Sequence, residues 1–257
     1  MPDAIFSNPR LARVYDPLDP DRSDLQTYID LADEFGASAI LDVGCGTGTL
    51  ASCLVARGTR VLGVDPAAAS VDVARSKVKS ELVDWVVGTA VDVAADPTQE
   101  KRYDLATMTA NVAQVFLSDH EWLATLSAIH SCLRRGGHLA FETRIPADHA
   151  WERWTKELTR QVVQVEGEGP VEDWVQVTDV DGEFVTFDSP TIFHADGVRL
   201  DSTTTLRFRT EEMLRRSLSD AGFEGVDVRE LPYAPGRGWL FVASAGNIGS
   251  TEGRAVN

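Results

Sequence analysis

The feature that most constrains the fold of this chain is a cluster of glycines placed directly after a short apolar run. Residues 38–43 (SAILDV) have the apolar character of a buried strand. Glycines follow at alternate positions: Gly44, Gly46 and Gly48. Residues 50–57 then carry apolar side chains at helical spacing. Glycine adopts backbone conformations closed to other residues and leaves room beside the main chain. The pattern predicts a strand, a turn that can bind a ligand, and a helix.

The same alternation of apolar strands and helical stretches continues to about residue 145. Further strands are predicted at 60–64, 85–87, 103–108 and 138–143, with helices at 67–78 and 119–133. Strands separated by helical stretches of roughly 10–15 residues indicate right-handed crossovers and a parallel sheet covered on both faces. This is the doubly wound α/β class, in which ligands bind at the carboxyl ends of the strands.

After residue 144 the alternation gives way to short strand-like segments. These lie at 161–165, 173–178, 183–187, 191–194 and 203–208. Two Asp-Gly pairs, at 181–182 and 196–197, are hairpin turn signals. Because a structureless loop of about 60 residues is uncommon in a compact domain, this region is predicted to be an antiparallel insertion. A helix at 210–221, capped by Thr210, and strands at 225–231 and 239–243 complete the pattern.

The predicted fold is therefore α/β: a doubly wound, mostly parallel, seven-stranded sheet with an antiparallel β lid insertion. We divide the chain into an N-terminal cap segment (1–37), a core (38–145 and 210–245), the lid insertion (146–209) and a disordered tail (246–257). The cap segment is polar and interrupted by prolines, so a helix is expected in it only from about Ser23.

Charge and cysteine content argue against several classes of function. The 257 residues include 24 Lys and Arg against 40 Asp and Glu, a formal charge of −16. Nucleic acids and anionic membrane surfaces are bound largely through clustered Lys and Arg, so neither is an expected partner. Three cysteines with no paired spacing predict neither a disulfide framework nor a zinc site, and no metal is expected. Because the N-terminus lacks the pattern of a signal peptide, we expect a cytoplasmic protein.

An acidic residue ends the second predicted strand. Asp65 lies 21 positions after Gly44, where a carboxylate can accept hydrogen bonds from both ribose hydroxyls of an adenosine. The glycines are spaced G-x-G-x-G, whereas a dinucleotide-binding turn has its third glycine at the position that Thr49 occupies. An NAD-linked oxidoreductase therefore stays only as an alternative.

Two motifs in this region resemble those of the class I S-adenosylmethionine (SAM) dependent methyltransferases. ILDVGCGTGTL (40–50) resembles their first motif, and VLGVDP (61–66) resembles their acidic second-strand motif. Weaker likenesses lie at 87–92, 103–105 and 133–139, and the resemblance covers about 36–145 and 210–245. It implies a Rossmann-like methyltransferase fold with SAM as the cofactor.

The resemblance also implies which residues meet the cofactor. They are Tyr15, Arg22, Asp42, Gly44, Cys45, Gly46, Gly48, Asp65, Pro66, Thr89, Ala90, Thr109, Ala110 and Asn111. Among them Asp65 would hold the ribose hydroxyls, and Arg22 would pair with the methionine carboxylate as a bidentate clamp. Asp42 would steady the turn or bind the methionine amino group. Where the family often has an acid at the adenine edge this chain has Thr89, so Asp92 is an alternative there.

Candidates for catalysis or acceptor binding are few. Methyl transfer mainly requires alignment of acceptor, methyl group and sulfur, although an oxygen acceptor also needs a general base. His120 and His149 are the candidate bases, because they lie near the expected ends of the fourth and fifth strands. Arg144 ends the fifth strand over the expected site, where a substrate carboxylate or a plain salt bridge would equally explain it.

The position of the lid insertion suggests the kind of acceptor. It follows the fifth strand and should arch over the carboxyl ends, an arrangement that the resemblance associates with enzymes methylating small molecules. We therefore expect SAM-dependent methyl transfer by in-line displacement to a small-molecule acceptor, at nitrogen or oxygen. A non-catalytic SAM-binding or interaction module is the main alternative, because catalysis by alignment requires no particular catalytic residue.

Overall fold

The computed structural model describes residues 2–246, so the predicted tail (246–257) lies outside the described residues apart from Gly246. The α-helices are α1 (Ala4–Ser7), α2 (Pro9–Leu18), α3 (Leu25–Glu34), α4 (Thr49–Val55), α5 (Ala68–Ser76), α6 (Ala90–Ala94), α7 (Asp119–Cys132), α8 (Lys156–Thr159) and α9 (Glu211–Asp220). Short 3₁₀ turns lie at Ser80–Leu82, Pro97–Gln99, Val112–Gln114, Pro146–Asp148 and Ala150–Arg153.

The strands form three sheets. They are β1 (Ala39–Val43), β2 (Arg60–Asp65), β3 (Val83–Val87), β4 (Tyr103–Met108), β5 (Leu133–Arg144), β6 (Gln161–Val165), β7 (Gly169–Asp173), β8 (Gln176–Asp181), β9 (Phe184–Asp188), β10 (Thr191–Phe193), β11 (Val198–Leu200), β12 (Thr203–Arg207), β13 (Phe223–Glu230) and β14 (Gly238–Ala245). The largest sheet has seven strands in the order β13-β14-β5-β4-β1-β2-β3.

The strand order of this sheet confirms the predicted doubly wound fold. β1 pairs in parallel with β2 on one side and with β4 on the other, and β4 pairs in parallel with β5. β14 runs antiparallel to both β5 and β13. The chain therefore reverses its direction of winding between β1 and β4. In such sheets a crevice opens at this switch point, outside the carboxyl ends of the strands.

Helices cover both faces of the seven-stranded sheet. Because neighbouring residues along a strand point to opposite faces, each central strand contributes side chains to two cores. Leu41 and Met108 pack with Trp122 and other residues of α7 and α9 in one core. Ile40 and Leu105 pack with residues of α3 and α4 in the other. Every residue of β1 and β4 is buried, as central parallel strands require. The rigid sheet thus fixes where its carboxyl ends lie.

The lid insertion forms the two smaller antiparallel sheets, with strand orders β11-β10-β7-β6 and β12-β9-β8. Both predicted hairpins are present, with Asp181-Gly182 between β8 and β9 and Asp196-Gly197 between β10 and β11. The single strand predicted at 173–178 is instead the end of β7 and the start of β8. The chain leaves the ladder between them because the Val175 N–H donates to the Thr159 hydroxyl, and Trp174 is buried.

The cap segment contains helices that the sequence analysis did not predict. The expectation of a helix only from Ser23 was wrong, because α1 and α2 precede it. Asn8 caps α2 by accepting hydrogen bonds from the backbone N–H groups of Arg10 and Leu11, and Pro9 occupies the first helical position. Leu11 and Val14 of α2 pack against apolar residues of the lid insertion. Burial of these two residues against the lid insertion stabilises the helix. The polar local sequence does not predict this contact.

No helix among residues 2–246 has the length and apolar character needed to cross a membrane. Within the same residues, no group of three or more His, Cys, Asp or Glu is arranged to hold a metal ion.

Candidate functional site

A cavity of about 830 Å³ lies at the carboxyl ends of the strands. Its volume falls in the range of about 300–1,000 Å³ that is usual for small-molecule sites. Twelve of the predicted site residues line it: Tyr15, Arg22, Gly44, Cys45, Gly46, Asp65, Pro66, Thr89, Ala90, Thr109, Ala110 and His120. Five others do not line it: Asp42, Gly48, Asn111, Arg144 and His149. Predicted site residues that are far apart in the sequence therefore meet around one cavity.

The glycine turn between β1 and α4 has left-handed backbone at all three glycines, and their surroundings differ. A Cβ added at Gly44 would lie 2.6 Å from Cγ2 of Val112, and one at Gly48 would lie 2.4 Å from Cη2 of Trp85. These two glycines permit close packing within the protein. A Cβ at Gly46 would meet no heavy atom within 4 Å, and Gly46 faces the cavity. The space beside Gly46 is therefore left for something other than the protein.

The carboxylate of Asp65 is held rigidly at the end of β2. Its Oδ2 accepts a hydrogen bond from the Gly46 N–H at 3.0 Å, and its Oδ1 accepts one from the Ala67 N–H at 2.8 Å. Burial raises the pKa of Asp65, while these two backbone donors act in the opposite direction. Each carboxylate oxygen can accept further hydrogen bonds, so the group can still bind hydroxyls in the cavity.

At the end of β3, Thr89 and Asp92 form a capping box at the start of α6. The Asp92 carboxylate accepts from the Thr89 N–H at 2.8 Å and from the Thr89 hydroxyl at 2.7 Å. Both bonds lower the pKa of Asp92, and the bond from the hydroxyl has the larger effect. Thr89 lines the cavity, whereas Asp92 turns toward its own helix.

Asp42 lies behind the cavity wall. The side chain is 1% exposed, and its Oδ1 accepts a hydrogen bond from the Thr107 hydroxyl at 2.9 Å. Burial raises its pKa to about 7. This bond joins β1 to β4 at the last residue pair of their ladder, beneath the expected crevice.

The cap segment closes one side of the cavity, and the sequence analysis missed the residue that attaches it. Asp16 accepts a hydrogen bond from the Thr47 hydroxyl at 2.6 Å and forms an ion pair with Lys77 at 2.6 Å. Arg22 and Tyr15 line the cavity from the same segment, and Arg22 is paired with Asp24 at 3.2 Å. Nothing in the local sequence around Asp16 marks it as a contact of the glycine turn.

The opposite side of the cavity is the loop between β4 and α7, which two lid arginines hold in place. Arg207 donates to the Leu117 carbonyl at 2.9 Å, and Arg209 donates to the Phe116 carbonyl at 2.7 Å. Leu117, Phe116 and His120 line the cavity. Burial lowers the pKa of Arg209 to about 10. Of the predicted histidines, His120 is thus the one at the cavity wall.

A buried carboxylate supports the turn after β4. Ala110 and Asn111 both have left-handed backbone, with φ of +51° and +61°, a conformation that costs non-glycine residues free energy. Oε1 of Glu142 accepts from the Asn111 N–H at 3.2 Å. Its Oε2 accepts from the hydroxyls of Tyr28 and Tyr233. The sequence signal for this contact was a carboxylate directly after the apolar residues 139–141 of β5.

The two remaining candidates lie near the end of β5. His149 is exposed, pairs with Glu152 at 3.2 Å and stacks on Trp151, so the structure does not bring it to the cavity. Arg144 donates to Oε1 of Gln114 at 2.9 Å, and its guanidinium lies 5.0 Å from the centre of the Trp154 ring.

Comparison with known proteins gives consistent results. A family model described as a methyltransferase domain matches residues 40–137. The chain is 32% identical over 109 residues to a cypemycin N-terminal methyltransferase from a Streptomyces species, covering 42% of this chain and 43% of that protein. It is 32% identical over 121 residues to a ubiquinone biosynthesis O-methyltransferase from Marinobacter nauticus, covering 45% and 48%. The matches thus span less than half the length of these relatives.

Solved structures share the fold over most of the chain. The sugar N-methyltransferase KedS8 from Streptoalloteichus superposes with a TM-score of 0.72 at 21% identity, covering 90% of each chain. CalS10, a SAM-bound amino pentose methyltransferase from Micromonospora echinaspora, gives a TM-score of 0.67 at 24% identity, covering 88% of this chain and 93% of that one. At these identities the likeness concerns the fold.

Proposed function

Residues 40–137 are a methyltransferase domain within a fold of the class I SAM-dependent type, and from this premise we propose that the protein transfers a methyl group from SAM to a small-molecule acceptor. The observation that carries the proposal is the open space beside Gly46, bordered by the fixed carboxylate of Asp65. A turn that leaves main-chain atoms accessible next to an acid at the end of the next strand fits a nucleoside with a ribose.

We assign a part of the cofactor to each residue from the strand that it follows and from the resemblance of the motifs. Asp65 accepts hydrogen bonds from the ribose hydroxyls, and Pro66, Thr89 and Ala90 surround the adenine at the ends of β2 and β3. Gly44, Cys45 and Gly46 pack against the ribose and methionine. Arg22 takes the methionine carboxylate, with Tyr15 beside it. Asp42, Gly48 and Asn111 act from behind the wall, by holding the turns that form it.

The bound cofactor supplies a methyl group already activated by a positive sulfur. The protein's own contribution is to hold the acceptor in line with that group and to exclude water, and such alignment can supply about 7–11 kcal/mol of the barrier. Thr109 and Ala110, at the strained turn after β4, border the place where the two reactants meet. His120 is the group at the cavity wall that can take a proton from an oxygen acceptor.

The acceptor is a small molecule, bonded to the transferred methyl group through nitrogen or oxygen. Residues of the cap segment and of β12 in the lid insertion line the cavity, and its volume of about 830 Å³ suits a small molecule. The sugar N-methyltransferase, the cypemycin N-terminal methyltransferase and the ubiquinone biosynthesis O-methyltransferase named above support methyl transfer as the activity, and their names include both nitrogen and oxygen acceptors. The acidic charge of −16 supports the absence of a nucleic-acid partner.

Isothermal titration calorimetry with SAM and S-adenosylhomocysteine (SAH) tests the cofactor assignment. We expect both to bind, and Asp65→Ala to weaken binding by at least about tenfold, because hydrogen bonds to a charged group are worth about 1.5–3 kcal/mol each. Asp72→Ala is the control, since the Asp72 side chain is 72% exposed on α5. Circular dichroism verifies that both variants are folded.

Two results would contradict the proposal: no binding of either nucleoside, or undiminished binding by Asp65→Ala. Incubation with SAM and a panel of small amines and alcohols then tests transfer, with SAH formation as the readout. Retained SAM binding without transfer to any member of a broad panel would favour a non-catalytic module.

A further inference from the structure

The part of the cavity left for the acceptor contains two carboxylates. Three carboxylates line the cavity, those of Asp3, Asp65 and Glu121, whereas Arg22 is the one Lys or Arg of residues 2–246 that does so. Asp65 and Arg22 are assigned above to the ribose and to the methionine carboxylate. Asp3 and Glu121 therefore remain for the acceptor, and the described residues place no further Lys or Arg on the cavity wall.

Neither of these carboxylates is paired with a cation within the described part of the chain. Oδ2 of Asp3 accepts from the Thr204 hydroxyl at 2.7 Å, and Oε2 of Glu121 accepts from the Ser118 hydroxyl at 3.0 Å. No Lys, Arg or His side chain of residues 2–246 has a nitrogen within 4.0 Å of either group. Asp3 is half-buried, and Glu121 is exposed at the start of α7. A cavity lined by unpaired charge of one sign attracts small ions of the opposite sign.

β12 of the lid insertion connects the two carboxylates. Asp3, just before α1, is bonded to the second residue of this strand. Arg207, at the end of the strand, donates to Asp119 at 2.7 Å, two residues before Glu121 in the sequence. With a rise of about 3.3 Å per residue, these two attachment points are about 10 Å apart. Thr205 lies between them and lines the cavity, so a small molecule beside β12 is near both carboxylates.

Two nearly buried hydroxyls at the cavity also need a partner. Thr109 follows β4 and Thr125 lies in α7; they are 7% and 5% exposed, and both line the cavity. Neither hydroxyl has a hydrogen-bond partner within residues 2–246, and neither is fully enclosed by protein. Because buried polar side chains are normally hydrogen-bonded, these hydroxyls indicate a ligand with polar hydrogen atoms or acceptors. A threonine hydroxyl can accept from an N–H group.

We propose that the methyl acceptor is an amine that binds as its ammonium cation, close to Asp3 and Glu121; this inference rests on the proposed function and specifies its acceptor. The amine carries no carboxylate or phosphate of its own, because such a group would meet two carboxylates and no free Lys or Arg of the described cavity wall. Phe6 and Phe116 also line the cavity and offer apolar surface for the body of the molecule.

The movement of charge during transfer favours an amine over an oxygen acceptor here. The ammonium first gives up a proton, which His120 at the cavity wall can accept and release to solvent. The neutral nitrogen then forms a bond to the methyl carbon with its lone pair, and the electrons of the broken carbon–sulfur bond stay on sulfur. Positive charge thus moves from sulfur to nitrogen, where Asp3 and Glu121 stabilise it. An oxygen acceptor develops negative charge as it loses its proton, and the same carboxylates repel that charge.

Calorimetric titration with four compounds that share a phenyl group tests this proposal. The amine is 2-phenylethylamine, its neutral counterpart is 2-phenylethanol, phenylacetate is the anion, and phenylalanine is the same amine with a carboxylate. Each is titrated into the SAH-saturated protein and into the free protein. The wild type should bind 2-phenylethylamine at least about tenfold more tightly than the other three, because hydrogen bonds to charged groups are the stronger ones. Cyclohexylamine and cyclohexanol repeat the comparison without an aromatic ring.

The double variant Asp3→Asn/Glu121→Gln removes both charges and keeps the shapes of the side chains. Its amides can still accept from the two hydroxyls described above, so it should fold, and circular dichroism verifies this. It should bind the amines at least about tenfold more weakly and change SAH affinity by less than about twofold. Glu166→Gln/Asp179→Asn is the matched control, because it removes two exposed charges of the lid insertion outside the cavity.

Three results would overturn the proposal. They are equal binding of amine and alcohol by the wild type, no binding of either amine, and an amine affinity that is the same in the wild type and in Asp3→Asn/Glu121→Gln.

The ammonium group of the cofactor's methionine part is the other source of the same chemistry, and 5′-methylthioadenosine, which lacks that group, separates the two. If the double variant weakens SAH binding more than amine binding and leaves binding of 5′-methylthioadenosine unchanged, the carboxylates serve the cofactor and the proposal is overturned. Failure of the wild type to bind SAH at all would instead overturn the proposed function. The amine titrations of the free protein still report on Asp3 and Glu121 in that case.

Discussion

The two halves of the cavity are built in different ways. The cofactor side, at the ends of β1, β2 and β3, consists of the turn at 44–48, Asp65 and Thr89, each at or within two residues of the end of its own strand. The acceptor side, at the end of β4, combines the loop that leads to α7 with β12 of the lid insertion, and Arg207 and Arg209 of the lid insertion hold that loop. One side is assembled from local strand ends, the other from segments far apart in the chain.

The difference shows how each side recognises its ligand. On the cofactor side the protein offers backbone atoms and one carboxylate, whose positions follow from the turn geometry. On the acceptor side it offers side chains from separate segments, among them His120 of α7 and Thr205 of β12. A backbone turn can serve many proteins with the same cofactor, whereas side chains contributed by separate segments can change independently with the acceptor.

The largest expected effect concerns Asp42, whose hydrogen bond to Thr107 joins the two sides beneath the crevice. Its pKa is raised from 3.8 to about 7. Between these values the unfolded chain is ionised while the folded protein holds a proton, so stability falls as pH rises. Asp42→Asn should remove this fall, by about 1.4 kcal/mol per pH unit and about 4 kcal/mol in all. Urea unfolding of both proteins from about pH 4 to pH 8 measures it.

Asp104 provides a control of opposite sign at the other end of the sheet. Three hydrogen bonds from Ser38 and Ala39, together with Arg134, outweigh the desolvation that opposes them and lower its pKa. Its contribution to stability is therefore present above the unfolded pKa and lost as pH falls. Parallel pH profiles of the wild type and Asp42→Asn would contradict the raised pKa of Asp42.

The next effect sharpens the contrast on the cofactor side, where Gly46 has open space and left-handed backbone. Gly46→Ala should lower the free energy of unfolding by about 1 kcal/mol, the penalty for a Cβ in that conformation. It should also weaken SAH binding by at least about tenfold, because the added methyl group occupies the ligand's space. Gly58→Ala is the matched control, since Gly58 also has positive φ and an unobstructed Cβ but lies outside the cavity. Wild-type SAH affinity in Gly46→Ala would refute this use of the turn.

The smallest effect could break the comparison, because it concerns a long-range contact on the cofactor side. Asp16→Ala removes the acceptor of Thr47 and the partner of Lys77. Since the ion pair is partly exposed, we expect only about a threefold loss of SAH affinity, measured by calorimetry against Asp30→Ala as an exposed control from the same cap segment. A loss as large as that of Gly46→Ala would mean that the cofactor side, too, depends on distant segments.

Sequence reasoning was most successful where a pattern repeats along the chain. The alternation of apolar strands and helices predicted the seven-stranded sheet, and two Asp-Gly pairs predicted the lid hairpins. It failed at α2, whose polar and proline-containing sequence conceals a helix stabilised by packing on the lid insertion. The Asn8-Pro9 pair was a local signal of that helix start.

By itself the sequence determined the strand, turn and helix at 39–55, the three glycines and the acid at 65. These depend on local backbone conformation, and local backbone conformation is encoded by neighbouring residues. Only the tertiary structure decided that Gly46 faces open space while Gly44 and Gly48 face side chains. It alone also decided that Arg144 donates to Gln114 and does not line the cavity. Which side chains meet depends on how segments distant in sequence pack together, and burial then determines which of their charges and donors are left for a ligand.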